Sequence, residues 1–384
     1  MELKASIIKE SAPHIRRKDN LVGMMLDVII ALLPLVVYGF VVSPVAMARN
    51  LFIIAAVMEL SEFVFVLVTN RLPVDGQKHT FTEQFKNGIK AYHLSNALVP
   101  LVSAIILALL MPTNMDNEAL LYVSLITSSL FGIIIGKLVF GGTGTNIFNP
   151  AAVGYVFAKT CYGSHFQYFD AFHPNGAQVV EAGATPISTA HITIAGNGAT
   201  AINLNDYSLL DLFLGNIPGG IGEVCKLLIL IGLAYMIIRH TIDWRIPLAY
   251  IGSFFVMMLI AGFVLWFGYK IDDPWSFALY ELLSGGILYC AVYMATDPVT
   301  SPITHPGRVM YGVILGICTT FIRLFAAIPE GCVYSILLAN IFTSVIDYPK
   351  WSTNKWNWKN IVWPCVTFVF FALIELWALC VEVF

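Results

Sequence analysis

Residues 21–42 read Leu-Val-Gly-Met-Met-Leu-Asp-Val-Ile-Ile-Ala-Leu-Leu-Pro-Leu-Val-Val-Tyr-Gly-Phe-Val-Val. Asp27 is the only charge in these 22 residues. A helix crosses the hydrocarbon core of a bilayer with about 20 apolar residues, so this stretch is long enough to span. Further apolar stretches follow at 47–69, 93–111, 119–139, 146–160, 222–240, 246–268, 277–296, 308–326, 331–347 and 361–383. Composition agrees. Of the 384 residues, 58% are hydrophobic and 12% charged, whereas a soluble domain is about a quarter charged. The expected fold class is an all-α integral membrane protein with about 10–11 transmembrane helices.

Orientation follows from the basic residues, which favour the cytoplasmic loops. With the N-terminus inside, 16 of the 21 Lys and Arg fall on the inner side and five on the outer side. The organisation reads as a cytoplasmic segment 1–20, a first transmembrane half 21–160, an outer loop 161–221 and a second half 222–347. A basic and aromatic loop with an additional helix, 348–384, completes it. Met1–Asn20 is polar and basic, unlike a secretory signal, and is expected to be retained. A net charge of -3 argues against a nucleic-acid partner. The seven cysteines form no C-x-x-C pair and signal neither zinc nor an iron–sulfur cluster. They read as buried, inert thiols.

Ala108-x-x-Met111-x-Thr113-Asn114 is echoed by Ala291-x-x-Met294-x-Thr296-Asp297, 183 residues later. Five helices per half would set the halves in opposite orientations, giving two inverted five-helix repeats plus an extra C-terminal helix. Inverted repeats with interrupted helices are a transporter architecture with sites at the repeat interface. The fifth segment is short and follows Gly141-Gly142-Thr143-Gly144, so it reads as a half-helix entered from broken backbone.

Candidate groups cluster at such breaks. Asn146 and Asn149 lie three apart and would share a helical face. They suit either a flat polar heterocycle or a helix cap with an interhelical hydrogen bond. Thr296, Asp297, Thr300 and Ser301 gather hard oxygens beside Pro298 and Pro302. They suit a small cation, a proton relay or a capped turn. Asp27, Glu59, Glu62, Glu281 and Glu375 lie in apolar runs, and Glu59 and Glu62 share a face. Asp27 and Glu281 fit positions near the water interface, toward which Arg323 would also reach.

Four segments together resemble the membrane flavin subunits of two ion-pumping complexes: the D subunit of Rnf complexes, and the B subunit of Na+-translocating NADH:quinone oxidoreductases (Nqr). They are Ala12–Arg16 with Met25–Pro34, Gly141–Val156, Gly183-Ala184-Thr185-Pro186, and Met294–Pro302. The resemblance implies a ten-helix core, FMN esterified through its phosphate to Thr185 of the Gly183-Ala184-Thr185 motif, and non-covalent riboflavin near Gly141 and Gly142. Asn146 and Asn149 are candidates for contacting that second flavin, and Asp297, with Glu59 and Glu62, for ion coupling. It further implies the bacterial cytoplasmic membrane, with the Thr185 loop on the outer face. Implied partners are the other subunits of an Rnf- or Nqr-type complex, a flavin-attaching enzyme, and Na+ or H+. The chain would then act as one subunit of a translocating oxidoreductase and not alone.

The chain departs from the family at Val179 and Ala182, where an acid and a serine usually precede the threonine. It also departs around Leu94–Ser103 and in the added segment 361–383. The short N-terminal region and the wording of Met25–Pro34 favour Rnf, with electrons passing between ferredoxin and NAD+. Two other readings are a flavin-free secondary transporter or channel, which inverted halves alone permit, and a structural scaffold.

Overall fold

Each of the eleven apolar stretches contains a helix in the computed structural model. It describes residues 21–69, 81–169, 179–181, 207–269, 273–326, 328, 330–348 and 354–383. The first half comprises α1 (Leu21–Val42), α2 (Pro44–Thr69), α3 (Phe81–Ala91), α4 (Leu94–Leu110), α5 (Glu118–Gly136) and α6 (Pro150–Tyr162). Two short helices follow the outer loop, α7 (Leu209–Leu214) and α8 (Ile221–Val224). The second half comprises α9 (Lys226–Ile238), α10 (Arg245–Tyr269), α11 (Pro274–Ser284), α12 (Ile287–Tyr289, continued as a π-helix over Cys290–Met294), α13 (His305–Phe325) and α14 (Cys332–Ile346). The added helix is α15 (Trp358–Val383).

Length sorts these helices. Among the described residues six are long and apolar enough to cross a membrane: α1, α2, α5, α10, α13 and α15. Two bent pairs raise the count to eight: Phe85–Ala91 with Leu94–Leu110, at 66°, and Pro274–Ser284 with Ile287–Met294, at 62°. The other three, α6, α9 and α14, have 13, 13 and 15 residues. At 1.5 Å per residue they reach about 20 Å, short of a core about 30 Å thick. The break before α6 buries Gly142, Asn146 and Asn149 and leaves Gly141 and Gly144 exposed; backbone of this kind is tolerated at membrane depth where protein covers it or it lines a cavity.

Close helix approach uses small residues, as membrane interfaces do. A Cβ on Gly132 of α5 would meet the Pro150 carbonyl oxygen at 2.7 Å, and one on Gly154 of α6 would meet the Ser128 oxygen at 2.8 Å. The α5–α6 contact therefore sets where α6 begins. Val41, Phe52, Trp363 and Trp377 face outward, as lipid allows. The added helix α15 lies against α10 and α13 with most of its surface open.

The sequence held no signal for one small feature. β1 (Asn114–Met115), β2 (Phe166–Phe169) and β3 (Val179–Glu181) form an antiparallel sheet with Asn114 opposite Gln167 and Gln167 opposite Glu181. β2, at the start of the outer loop, pairs on one side with the turn after α4 and on the other with β3.

Candidate site at the meeting of two broken helices

The chain reverses between α5 and α6 over residues 137–149. Gly141, Gly142 and Gly144 take φ of 109°, 93° and 92°, a region that glycine adopts without a Cβ clash. The helix then starts at Pro150, not at Asn146. Asn149 is its cap: Oδ1 accepts from the backbone N–H groups of Ala151 (3.0 Å) and Ala152 (3.3 Å). Its Nδ2 donates to the Met294 carbonyl at 3.2 Å. Asn146 lies in the loop, buried, and donates to the Phe148 carbonyl at 3.1 Å. The two amides thus share a site without sharing a helix face.

The second half contributes the end of the π-helix. A π turn exposes backbone carbonyls to outside partners and is common at functional sites. Here the Met294 carbonyl receives Asn149. Thr296 folds back on the Val292 carbonyl at 2.6 Å. Asp297 accepts from the Thr300 hydroxyl (3.0 Å) and the Val299 N–H (3.4 Å). Tyr293 donates to the Ala31 carbonyl of α1 at 3.0 Å, which closes the wall between the halves.

These pieces line a partly open cleft with a cavity of about 70 Å³. Val102, Ile106, Met25 and Val292 give it apolar walls, while Lys137, Asn146, Asn149 and Asp297 supply polar groups. A mostly apolar cleft with a few convergent polar groups is the common form of a small-molecule site. Lys137 forms a buried ion pair with Glu62, Nζ to Oε2 3.1 Å, with 1% and 2% of each side chain exposed. Thr143 adds a hydroxyl 3.5 Å from Glu62 Oε1. An isolated buried charge is costly, so each partner requires the other.

Several expected residues converge: Asn146, Asn149 and Asp297 line the cleft, and Glu62 acts on it through Lys137. Gly141 and Gly142 shape the loop. Glu59 does not line it and instead accepts from the Tyr92 hydroxyl at 2.9 Å. Gly183, Ala184 and Thr185 lie outside the described residues. Sequence reasoning missed Lys137 as a site residue, although a single basic residue between an apolar run and a glycine turn was visible. It also misjudged Arg323, which is 2% exposed and donates from Nη1 to the Glu281 carbonyl (2.5 Å) and Oε2 (3.4 Å). Glu281 is buried with it, not interfacial. Cys161 and Cys365 are exposed, so the thiols are not uniformly buried.

Residues 8–353, nine-tenths of the chain, match the family described as NQR2, RnfD, RnfE. The chain belongs to this family. Among the relatives of this NQR2/RnfD/RnfE protein is the D subunit of the Na+-translocating ferredoxin:NAD+ oxidoreductase complex of Acetobacterium woodii. It is 32% identical over 340 residues, 88% of this chain and 91% of that protein. The D subunit of the ion-translocating oxidoreductase complex of Alcanivorax borkumensis is 30% identical over 360 residues, 89% of this chain and 95% of that one. The B subunit of the Na+-translocating NADH-quinone reductase of Chromohalobacter salexigens is 38% identical over 220 residues, 57% of this chain. The matched region spans about half the length (51%) of that reductase component.

Proposed function

We propose that this chain is the membrane subunit of an Rnf-type complex, carrying flavin and coupling electron transfer to movement of Na+ or H+. The observation that carries the reading is the cleft itself, where the Asn146/Asn149 loop of one half meets Asp297 of the other. The near end-to-end match to the Acetobacterium and Alcanivorax relatives supports Rnf over Nqr. The higher identity to the Chromohalobacter reductase component over a shorter region favours the second reading, an Nqr-type complex.

The lining of the cleft supports a flat polar ring of the riboflavin type, because amide, ammonium and hydroxyl groups stand around apolar walls. A flavin bound there would supply one- and two-electron redox chemistry. Asn146, Lys137 and Thr143 would orient the ring edge, and the walls would exclude water. Asp297 would hold a cation or proton within reach of the ring's charge, with Thr300 and the Val299 N–H fixing its carboxylate. A second flavin, FMN, would be esterified to Thr185 by a separate flavin-attaching enzyme, a proposal resting on the Gly183-Ala184-Thr185 motif. The complex would sit in the bacterial cytoplasmic membrane with that loop outside.

The test is Asp297→Asn in the assembled complex in vesicles. Redox-driven uptake of Na+ or H+ should fall at least tenfold while flavin content is retained. Unchanged uptake would remove Asp297 from the coupling.

A further inference from the structure

A second polar cluster lies at the far end of the segment that leads to Asp297. The bent helix breaks at Gly285–Gly286, and carboxyl groups from three separate elements gather around that break. Glu330, just before α14, accepts at Oε1 from the Gly286 N–H (3.0 Å) and from Cys332 Sγ (3.0 Å). Glu223 of α8 packs on the same glycine: a Cβ there would meet Glu223 Cδ at 2.7 Å. Glu281 lies in the last turn of α11 beside Arg323.

Three cations stand near these three carboxyl groups, and among the described residues none donates a hydrogen bond to the Glu223 carboxyl. Arg323 Nη1 is held by Glu281, and its Nη2 stands 3.9 Å from Glu330. Lys226 Nζ donates to the backbone carbonyl of Glu223, not to its carboxyl. Lys159 Nζ lies over the rings of Phe166 and Tyr168, at 5.2 and 6.0 Å. Glu223 is only 9% exposed, and its Oε1 has no hydrogen-bond partner among the described residues.

An ionised carboxylate without a donor in a dry site is unfavourable. Two carboxyl groups packed on one glycine disfavour double ionisation further. A proton on Glu223 relieves its repulsion with Glu330 and turns an acceptor without a hydrogen bond into a donor.

We propose that Glu223 is a proton-loading carboxyl, neutral in the resting protein, packed against Glu330 across Gly286. Loading forms one O–H bond at Glu223 and unloading breaks it; the proton comes from water or a neighbouring acid, and no electrons move. The site deepens the ion-coupling reading by giving the chain a protonatable group remote from Asp297. Its occupancy is measurable whether or not flavin binds or ions move, so the two can fail separately.

The experiment is infrared difference spectroscopy of the purified full chain between neutral and alkaline pH, for wild type, Glu223→Gln, Glu330→Gln and Asp297→Asn. Wild type should show a titrating carboxylic C=O component. It should be absent in Glu223→Gln, present in Asp297→Asn, and titrate at lower pH in Glu330→Gln, where the competing charge is gone. If Glu223→Gln does not fold, dicyclohexylcarbodiimide, which adds to protonated carboxyls in apolar surroundings, replaces it as the probe on wild type. The adduct should map to Glu223 and fade at alkaline pH. Superimposable spectra of wild type and Glu223→Gln, a component unmoved in Glu330→Gln, or an unlabelled Glu223 would overturn the proposal.

Discussion

The Tyr289 hydroxyl donates to the Ile106 carbonyl at 3.1 Å, and the two residues are 183 positions apart. That separation equals the offset of the echo between Ala108–Asn114 and Ala291–Asp297. If the halves are related by a two-fold axis, contact between equivalent positions lies on it. Such an axis would pass between α4 and α12. Helices α6 and α14 touch one another as well, and so do α1 and α9, which occupy matching places in the two halves. The cleft lies where broken segments of both halves meet.

Asn149 joins the two motifs through its cap and its bond to Met294. Replacing it with Ala removes both, costing about 1 kcal/mol for the cap and about 1 kcal/mol for the bond. Ser restores the cap alone. In thermal unfolding of purified protein, Asn149→Ser should therefore fall between wild type and Asn149→Ala. A Ser variant no better than Ala would show that capping is not its role.

The Glu62–Lys137 pair predicts strong non-additivity. Lys137→Met leaves a bare carboxylate in the core, a loss of about 3–5 kcal/mol for a buried pair. Adding Glu62→Leu should recover most of that loss. A double variant as unstable as the sum of the single ones would mean that the pair is not coupled.

At the end of the molecule bearing the α10 N-terminus, Asp243 meets Arg308 Nη1 at 2.5 Å and Arg245 Nη1 at 2.8 Å, with His305 at 3.5 Å. Burial pushes its carboxyl up, but the Arg245 backbone N–H and the Arg308 and Arg245 guanidinium groups outweigh it and hold it below the ordinary 3.8. A lowered folded-state value means that the stabilisation is complete above the unfolded value and is lost as pH falls through the folded one. The unfolding midpoint of wild type should exceed that of Asp243→Asn near neutral pH, and the gap should close in acid. A gap that widened in acid would refute the assignment.

Much of this architecture is legible because lipid imposes it. A spanning helix must be apolar along its length, so α1, α2, α10 and α15 stand out in the sequence. The start of α6 is less legible. Glycines announce a break, but only the backbone shows that Asn149 and not Asn146 is the cap. Pairing of buried charge is not local at all. Glu62 finds Lys137, and Arg323 finds Glu281 and Glu330, through packing of distant helices. Read alone, Glu281 and Arg323 looked like residues near the membrane surface, and Glu62 like an ion-coupling candidate. Glu223 carried no signal, because its environment is assembled by Gly286 and Glu330 from elsewhere in the chain.

The central claim is that this is a flavin-bearing redox protein and not a flavin-free permease. The most direct measurement is the flavin content of the chain purified after production with a flavin-attaching enzyme, before and after denaturation. One flavin should survive denaturation on the peptide containing Thr185 and vanish in Thr185→Val. A second should be released on denaturation and be lost in Ser103→Trp, which would fill the cleft. Bare polypeptide with no flavin of either kind would contradict the account.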